Sequence, residues 1–266
     1  MANALLLNLS ALIALVPASI LSHRRTAERP DLVFWAVLLV ALAGPAAVTL
    51  VLLGGAWQTG LSAALWVSIT VSMALFVLLA LVSREAWRLT PLLVPYLLLL
   101  GVLATVWSNA PARHVLAAPD AWLNVHIALS VVTYGLCTLA AVAAAAAVLQ
   151  ERSLKRKAPT ALTHKLPSVA DAASLQLRLL GAGEVVLACG IATGMARNVV
   201  ASGQLLTFDH KTLLSLLAFA VIAFLLILHR RTGLRGQRAA RLILLAYLLL
   251  TLAYPGVKFV TDVLIG

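Results

Sequence analysis

Eight long apolar segments occupy most of the sequence, and they limit what the chain can fold into. They run over roughly residues 3–22, 32–54, 61–82, 90–107, 121–149, 175–196, 211–228 and 239–264. An α-helix needs about 20 apolar residues to cross the hydrocarbon core of a bilayer, and a spanning helix satisfies its own backbone hydrogen bonds. We therefore predict an all-α, polytopic integral membrane protein with eight transmembrane helices.

The composition supports this fold class. Hydrophobic residues make up 62% of the chain and charged residues 11%, whereas soluble domains contain about 45–50% and about 25% of these classes. No polar stretch between the segments is long enough to form a separate soluble domain. We therefore predict a single transmembrane bundle over residues 1–266, with four N-terminal helices in 1–110 and a second group of four in 120–264.

Basic residues are distributed unevenly among the predicted loops. Sixteen of the 20 lysines and arginines fall in or beside the loops that follow segments one, three, five and seven. The other four are Arg113, Arg197, Lys211 and Lys258. Because basic loops stay on the cytoplasmic side, eight helices place both termini on the periplasmic side of a bacterial inner membrane. The net charge of +11 then suits anionic lipid headgroups, and we expect the lipid bilayer, not nucleic acid, as its partner.

Two histidines stand out among the polar residues close to the membrane. His126 lies near the start of the fifth segment, and His210 lies in the run Asp209-His210-Lys211 at the start of the seventh. Polar residues at such positions are costly to bury and are commonly functional. The predicted topology places both histidines on the same side, where two imidazoles at similar depth can share a ligand. Haem iron is the leading candidate.

Other interpretations of the histidines stay open at this point. His126 can instead bond a neighbouring hydroxyl or carbonyl group. With 3.6 residues per turn, its helix face also holds Trp122, Ser130 and Thr133. His114, in the outer loop between segments four and five, is either a further ligand or simply exposed.

Five further residues carry structural predictions. Glu184, inside segment six, is either a proton relay or a structural carboxylate with satisfied hydrogen bonds. Cys137 and Cys189 lie in apolar spans without Cys-x-x-Cys spacing, so we expect buried packing residues and no thiol redox chemistry. Ser168 followed by Asp171 predicts a capped helix start, and we expect this helix to run directly into segment six.

From segment five onwards the chain carries a series of motifs. They are Trp122, His126, Tyr134 and Glu151–Lys155 in segment five, then Leu166–Ser168, Leu179-Leu180, Gly190–Gly194, Asp209–Thr212 and Tyr254–Phe259. With these motifs, residues 120–262 resemble the cytochrome c assembly family, and most closely its HemX-like branch of small eight-helix members. The first four helices resemble the family only in number and hydrophobicity.

The resemblance implies haem handling at the outer face of a bacterial membrane, with other cytochrome c assembly proteins as possible partners. The family's outer loop is rich in tryptophan, typically Trp-Gly-x-x-Trp-x-Trp-Asp followed by Pro-Lys-Glu. Here residues 202–212 keep a glycine, Asp209 and one aromatic, Phe208, while His210 stands at the usual proline position. The missing tryptophans reduce the apolar cover for a porphyrin and weaken the case for full haem delivery, although haem contact remains compatible with the histidines.

Haem binding requires axial imidazoles, apolar cover and cations for two propionates. The outer side of the chain supplies a candidate set: His126 and His210 for iron, Phe208 and Leu206 for apolar cover, and Arg197, Lys211 and Lys258 for propionates. Asp209, in the same run as His210, is counted with the cofactor-binding residues. The alternative is an interfacial anchor without a cofactor, in which Asp209–Lys211 and Lys258–Asp262 are local ion pairs that merely finish helices.

The sequence therefore favours a haem-handling protein of cytochrome c biogenesis. We expect no enzymatic turnover, since we find no nucleophile–base pair, metalloprotease motif or phosphate-binding loop. A regulatory or scaffolding membrane protein that has lost haem transfer is the first alternative. A small-solute transporter is the second, although the two halves show none of the matching broken helices typical of that class.

Overall fold

A computed structural model of the protein describes residues 2–24, 29–54, 57–58, 60–108, 114–115, 121–204, 209–233 and 236–261. The fold is all-α. Its eight long helices are α1 (Ala2–Arg24), α2 (Leu32–Gly54), α3 (Leu61–Val82), α4 (Thr90–Val106), α5 (Ala121–Arg156), α6 (Val169–Ser202), α7 (His210–Thr232) and α8 (Gln237–Thr251). Short 3₁₀ helices precede α4 (Ala86–Leu89) and α6 (Thr163–Lys165). The two-residue strands Trp57–Gln58, between α2 and α3, and His114–Val115, between α4 and α5, pair antiparallel.

The predicted number of spans is confirmed. Eight helices among the described residues are long and apolar enough to cross a membrane, and the chain is a multi-pass membrane protein. Two helices extend furthest beyond their apolar segments: α5 continues to Arg156 and α6 begins at Val169. The polar extensions lie at the same end of the bundle, where they project beyond the apolar core.

Hydrogen bonds hold the connection between these two extensions. The Ser168 side chain caps α6 by accepting from the Asp171 backbone N–H at 3.2 Å and donates to its carboxylate at 2.6 Å. The Gln150 amide donates to the carbonyl groups of Thr163 at 2.8 Å and Pro167 at 3.1 Å. The predicted cap, and its direct continuation into segment six, are confirmed.

Helix α5 lies at the centre of the bundle and packs against α3, α6 and α8. One contiguous hydrophobic core includes residues of both the first four and the last four helices. Small residues bring α5 and α6 together: a Cβ built on Gly183 would lie 3.3 Å from Cys137 Sγ. Cys137 is buried as predicted, but the prediction for Cys189 is wrong, because it lies on the exposed face of α6.

The two ends of the bundle differ in charge. Helices α1, α5 and α7 finish with basic residues, and Lys165 Nζ donates to the His23 carbonyl, which ties the α5–α6 connection to the end of α1. We call this the basic end. The start of α5, the end of α6, the start of α7 and the end of α8 gather at the opposite end, which we call the cavity end.

Candidate functional site

A cavity of about 420 Å³ lies among α5, α6, α7 and the end of α8 at the cavity end. This volume falls in the range of about 300–1,000 Å³ that is usual for small-molecule sites. Lining positions recur three and four residues apart, so one face of each helix forms the wall. From α5 these are His126, Ile127, Ser130, Thr133 and Tyr134, and from α6 Leu187, Gly190, Ile191, Gly194, Met195, Arg197 and Asn198.

The other half of the wall comes from the last two long helices. Helix α7 contributes Lys211, Thr212, Ser215 and Leu216, with Asp209 before it, and the α8 side contributes Leu250, Ala253 and Tyr254. Arg197, Asp209 and Lys211 are exposed, whereas Tyr134 is only 3% exposed. The cavity therefore runs from a charged, open rim to a buried floor.

His126 is held by backbone and side-chain groups of α6. Its Nδ1 lies 3.0 Å from the Gly190 carbonyl oxygen and 3.2 Å from Thr193 Oγ1. A carbonyl oxygen can only accept a hydrogen bond, so the neutral ring carries its hydrogen on Nδ1 and donates it to Gly190. The Nε2 atom then keeps its lone pair and can bind a metal.

Glycine at position 194 makes room for the imidazole. A Cβ built on Gly194 would lie 3.0 Å from His126 Cε1, closer than about nine in ten real Cβ contacts. One turn away, Trp122 Nε1 donates to the Thr193 carbonyl oxygen at 3.1 Å. The segment Gly190–Gly194 thus forms a cradle for one face of α5. The shared face predicted from helical spacing is confirmed for His126, Ser130 and Thr133.

Charged groups at the rim come from two helices. Arg197 belongs to the last turns of α6 and Lys211 to the first turn of α7. Asp209 caps α7, accepting from the Thr212 backbone N–H at 2.8 Å. Partial burial raises the pKa of Asp209, but the hydrogen bonds from Thr212 and the nearby Lys211 and His210 outweigh it. The net pKa lies below the ordinary value, so Asp209 is a carboxylate at neutral pH.

Not every predicted site residue reaches the cavity. His210 is the exposed first residue of α7 and is not among the described lining residues, although its neighbours on both sides are. Lys258 follows the end of α8 and also lies outside the lining. Leu206, Phe208 and Asp262 lie outside the described residues. His114 pairs with Gln58 through its backbone, and its side chain is likewise outside the described part.

All four tyrosines of the chain converge on the cavity floor. Tyr134 and Tyr254 line it, with ring centroids 6.2 Å apart. Tyr247 donates to the Tyr134 hydroxyl at 3.1 Å, receives a hydrogen bond from Thr138 at 3.1 Å and shares another with Tyr96. Sequence reasoning missed Tyr96 and Tyr247, although a phenol in an apolar span indicates a buried hydrogen-bond partner.

The end of α8 has an unusual backbone. A π-helical turn, Leu252–Gly256, joins α8 to the short helix Val257–Phe259. Pro255 has no N–H to donate, which favours a local departure from the α-helical ladder. At Gly256 a Cβ would lie 3.1 Å from the Thr251 carbonyl oxygen. The turn places Ala253 and Tyr254 on the cavity wall, and π-turns are frequent at functional sites.

Glu184 lies one turn deeper along α6 than Leu187, outside the lining of the cavity. Both of its carboxylate oxygens are shielded from solvent, and neither has a hydrogen-bond partner among the described residues. The prediction that Glu184 is a structural carboxylate with satisfied hydrogen bonds is therefore wrong for the described part of the chain.

Comparisons with known proteins identify a family and two relatives of this chain. The family described as cytochrome C assembly protein matches residues 32–265. A protein of Azospirillum brasilense, named an uncharacterized 28.8 kDa protein in the nifR3-like 5′ region, is 54% identical over 271 residues and covers all of both chains. The inner membrane protein YpjD of Escherichia coli K12 is 27% identical over 183 residues, which is 68% of this chain and 67% of its own. No solved structure matches the chain.

Proposed function

This chain belongs to the cytochrome c assembly protein family, and we propose that it binds haem in the cavity of α5–α8 without catalysing a reaction. Family membership indicates a role in cytochrome c biogenesis. The proposed location is the periplasmic face of a bacterial inner membrane, and other cytochrome c assembly proteins are the proposed partners. The proposal that the ligand is haem rests on the residues that line the cavity.

The observation that carries the proposal is the orientation of His126. Histidines that bind metals commonly donate their second ring N–H to a backbone carbonyl, which fixes the tautomer and raises the basicity of the ligating nitrogen. The bond from His126 Nδ1 to the Gly190 carbonyl oxygen has this form. It supports His126 Nε2 as an axial ligand of haem iron.

The remainder of the wall matches the other requirements of haem. Apolar side chains that can cover a porphyrin come from all four helices: Ile127, Leu187, Ile191, Leu216 and Leu250. Arg197 and Lys211 at the rim suit two propionates, since a guanidinium can bind a carboxylate through two parallel hydrogen bonds. When bound, haem would supply a redox-active iron at the level of His126. Among the residues predicted from sequence, His210 as a ligand, Phe208 beside the ring and Lys258 at a propionate stay predictions.

Haem titration of the detergent-purified apoprotein tests the proposal directly. The wild type should develop a Soret band that saturates, and His126→Ala should weaken or shift it. His164→Ala is the matched control, because this histidine lies at the basic end, in Thr163–Lys165, and should leave the titration unchanged. Arg197→Ala should weaken uptake without moving the band, since it would hold a propionate and not the iron.

A scaffolding or regulatory role is the competing function. The observation that favours it is the sequence of residues 202–212, which contains none of the family's tryptophans. A wild-type protein that purifies without haem, and takes up none on titration, would establish this alternative over haem binding.

A further inference from the structure

The hydroxyl group of Thr193 shares its hydrogen-bond acceptor with His126. Thr193 Oγ1 donates to the Gly190 carbonyl oxygen at 2.9 Å, and His126 Nδ1 donates to the same oxygen at 3.0 Å. The two donors are also close to each other, since Nδ1 lies 3.2 Å from Oγ1. Thr193 is not among the described lining residues of the cavity. Its hydroxyl can therefore affect a ligand there only through the histidine.

The Gly190 carbonyl oxygen has more donors than lone pairs. It lies inside the continuous helix α6, where each carbonyl accepts from the N–H four residues later, here that of Gly194. Together with Thr193 and His126 it faces three donors, whereas a carbonyl oxygen has two lone pairs. Donors that draw on the same electron density weaken one another's hydrogen bonds. The bond from His126 Nδ1 is consequently weaker than a bond to an unshared carbonyl group.

A second effect of the Thr193 hydroxyl opposes the first. Its oxygen can also accept from His126 Nδ1–H and so add to the pull on that hydrogen. The distances decide between the two effects. The 2.9 Å from Oγ1 to the Gly190 oxygen is ordinary for a hydroxyl donor, whereas the 3.2 Å to Nδ1 is at the long end for an N–H donor. Competition for the carbonyl group therefore outweighs the help to the ring.

The strength of the Nδ1–H bond controls what the other ring nitrogen can do. A stronger bond gives the imidazole more negative charge and makes Nε2 a stronger donor to a metal. We infer that Thr193 weakens the donation from His126 Nε2 to haem iron and so limits how firmly the site holds haem. This inference rests on the proposed function, since it needs haem in the cavity. A protein that handles haem must release it as well as bind it, and a moderated ligand suits that role.

Thr193→Val tests the inference, because valine keeps the branched shape of the side chain and removes the hydroxyl. The haem-loaded variant should have a lower reduction potential than the wild type, since a stronger donor stabilises ferric iron. We expect the ratio of ferric to ferrous haem affinity to rise about threefold, at the low end for one neutral hydrogen bond. This equals about 30 mV, at about 59 mV per tenfold change for one electron. Transfer of haem from the ferric variant to excess apomyoglobin should be about threefold slower.

Two further variants separate the hydroxyl from other effects of substitution. Thr193→Ser keeps the hydroxyl and should retain the wild-type potential and transfer rate. Thr105→Val removes an equivalent bond in α4, from Thr105 Oγ1 to the Gly101 carbonyl oxygen at 2.8 Å. It lies outside the described lining of the cavity and should change neither quantity. Should Thr193→Val not fold, Thr193→Ala removes the same hydroxyl with a smaller side chain and takes its place.

The possible failures are distinguishable. An unchanged potential in Thr193→Val, or a higher potential with faster transfer, overturns the inference and leaves the proposed function intact. The same holds if Thr193→Ser or Thr105→Val shifts the potential as far as Thr193→Val does. If the wild type takes up no haem, the proposed function fails and the inference fails with it.

Discussion

The Gly190 carbonyl oxygen fixes the orientation of the His126 ring. It receives hydrogen bonds from Thr193 Oγ1 at 2.9 Å and from His126 Nδ1 at 3.0 Å. Both donors are half-buried, so the loss of this acceptor would cost each of them at most about 1–3 kcal/mol. Glycine at positions 190 and 194 keeps this face of α6 open, and Thr193 between them fixes the ring. The motif Gly190–Gly194 thus holds the His126 ring in place on α6.

Gly194→Ala should weaken haem binding with little effect on folding. The new methyl group would lie 3.0 Å from His126 Cε1 and push the ring away from the Gly190 carbonyl. Disturbing a group that orients a metal ligand costs about 10–100-fold in affinity, so we expect a loss of about tenfold or more on haem titration.

Gly181→Ala is the control on the same helix, because a Cβ there would meet nothing within 4 Å. Alanine is also favoured over glycine in a helix interior by about 0.5–1 kcal/mol, so both variants should fold. Equal haem affinity of Gly194→Ala and the wild type would show that the cradle does not position the ligand.

Four ionisable residues of the site could be predicted from sequence, but its apolar residues could not. His126, Arg197, Asp209 and Lys211 contrast with the apolar segments beside them, and all four line the cavity. The apolar residues of the wall, such as Ile127, Ile191 and Met195, do not contrast with their neighbours in an apolar span. Whether such a residue lines the cavity depends on which face of its helix meets the cavity, and that is a tertiary property.

Helices α4, α5 and α8 are linked by their tyrosine hydroxyls. Tyr96 of α4 and Tyr134 of α5 both bond to Tyr247 of α8. Tyr96 belongs to the first four helices, whereas the cavity is built from the last four. The wall of the cavity at Tyr134 is therefore positioned in part by the N-terminal half of the bundle.

Tyr247→Phe should lower the stability of the folded protein. It removes the hydroxyl that joins Tyr96, Tyr134 and Thr138 and leaves these groups with fewer partners, at a cost of about 1–2 kcal/mol. The thermal midpoint in detergent measures the effect. Tyr96→Phe should cost less than Tyr247→Phe, because it removes a peripheral hydroxyl and not the shared one.

A double-mutant cycle distinguishes this network from independent contacts. If the hydroxyls form one network, the combined Tyr96→Phe and Tyr247→Phe variant should lose less stability than the two single losses together. Strict additivity would mean that the phenols do not depend on one another.

Close packing of α5 and α6 can also be tested at the level of the helix pair. At Gly190 a Cβ would lie 3.9 Å from Leu129 Cβ, an ordinary contact, so alanine fits, whereas the branched end of a leucine would press against Leu129 of α5. Gly190→Leu should therefore reduce the folded yield through overpacking, at a cost of about 1–3 kcal/mol.

Gly54→Leu is the comparison, because Gly54 is the last residue of α2 and faces open space. Fluorescence-detected size exclusion of the two variants gives the yields. Equal tolerance at the two glycines would contradict packing of α5 and α6 through the Gly190 face.

Sequence patterns predicted the presence of each helix better than the residues at which it begins and ends. Hydropathy located every span, since about 20 apolar residues have few alternatives in a bilayer. It could not locate the end of α5 at Arg156, because the last turns are polar and lie beyond the apolar segment. The start of α6 was predictable only through the Ser168 cap, which is a local signal with its own chemistry.

At the scale of the whole molecule, the two ends of the bundle differ in charge. The residues Arg24, Arg156 and Arg231 close α1, α5 and α7 at the basic end, and the contact of Lys165 with the His23 carbonyl keeps this end together. The cavity opens at the other end, with its rim cations Arg197 and Lys211. Because basic loops are retained in the cytoplasm, the same charge bias that orients the bundle would direct the cavity outwards.

The proposed orientation predicts the outcome of reporter fusions. With an even number of spans both termini lie on one side, so a fusion after Gly266 should report the periplasm and a fusion after Lys157 the cytoplasm. Alkaline phosphatase and green fluorescent protein give opposite signals on the two sides, so each fusion point serves as the control for the other. A cytoplasmic signal after Gly266 together with a periplasmic one after Lys157 would invert the bundle. His126 and the rim would then face the cytoplasm, and haem handling at the periplasmic face would be excluded even if the cavity binds haem in detergent.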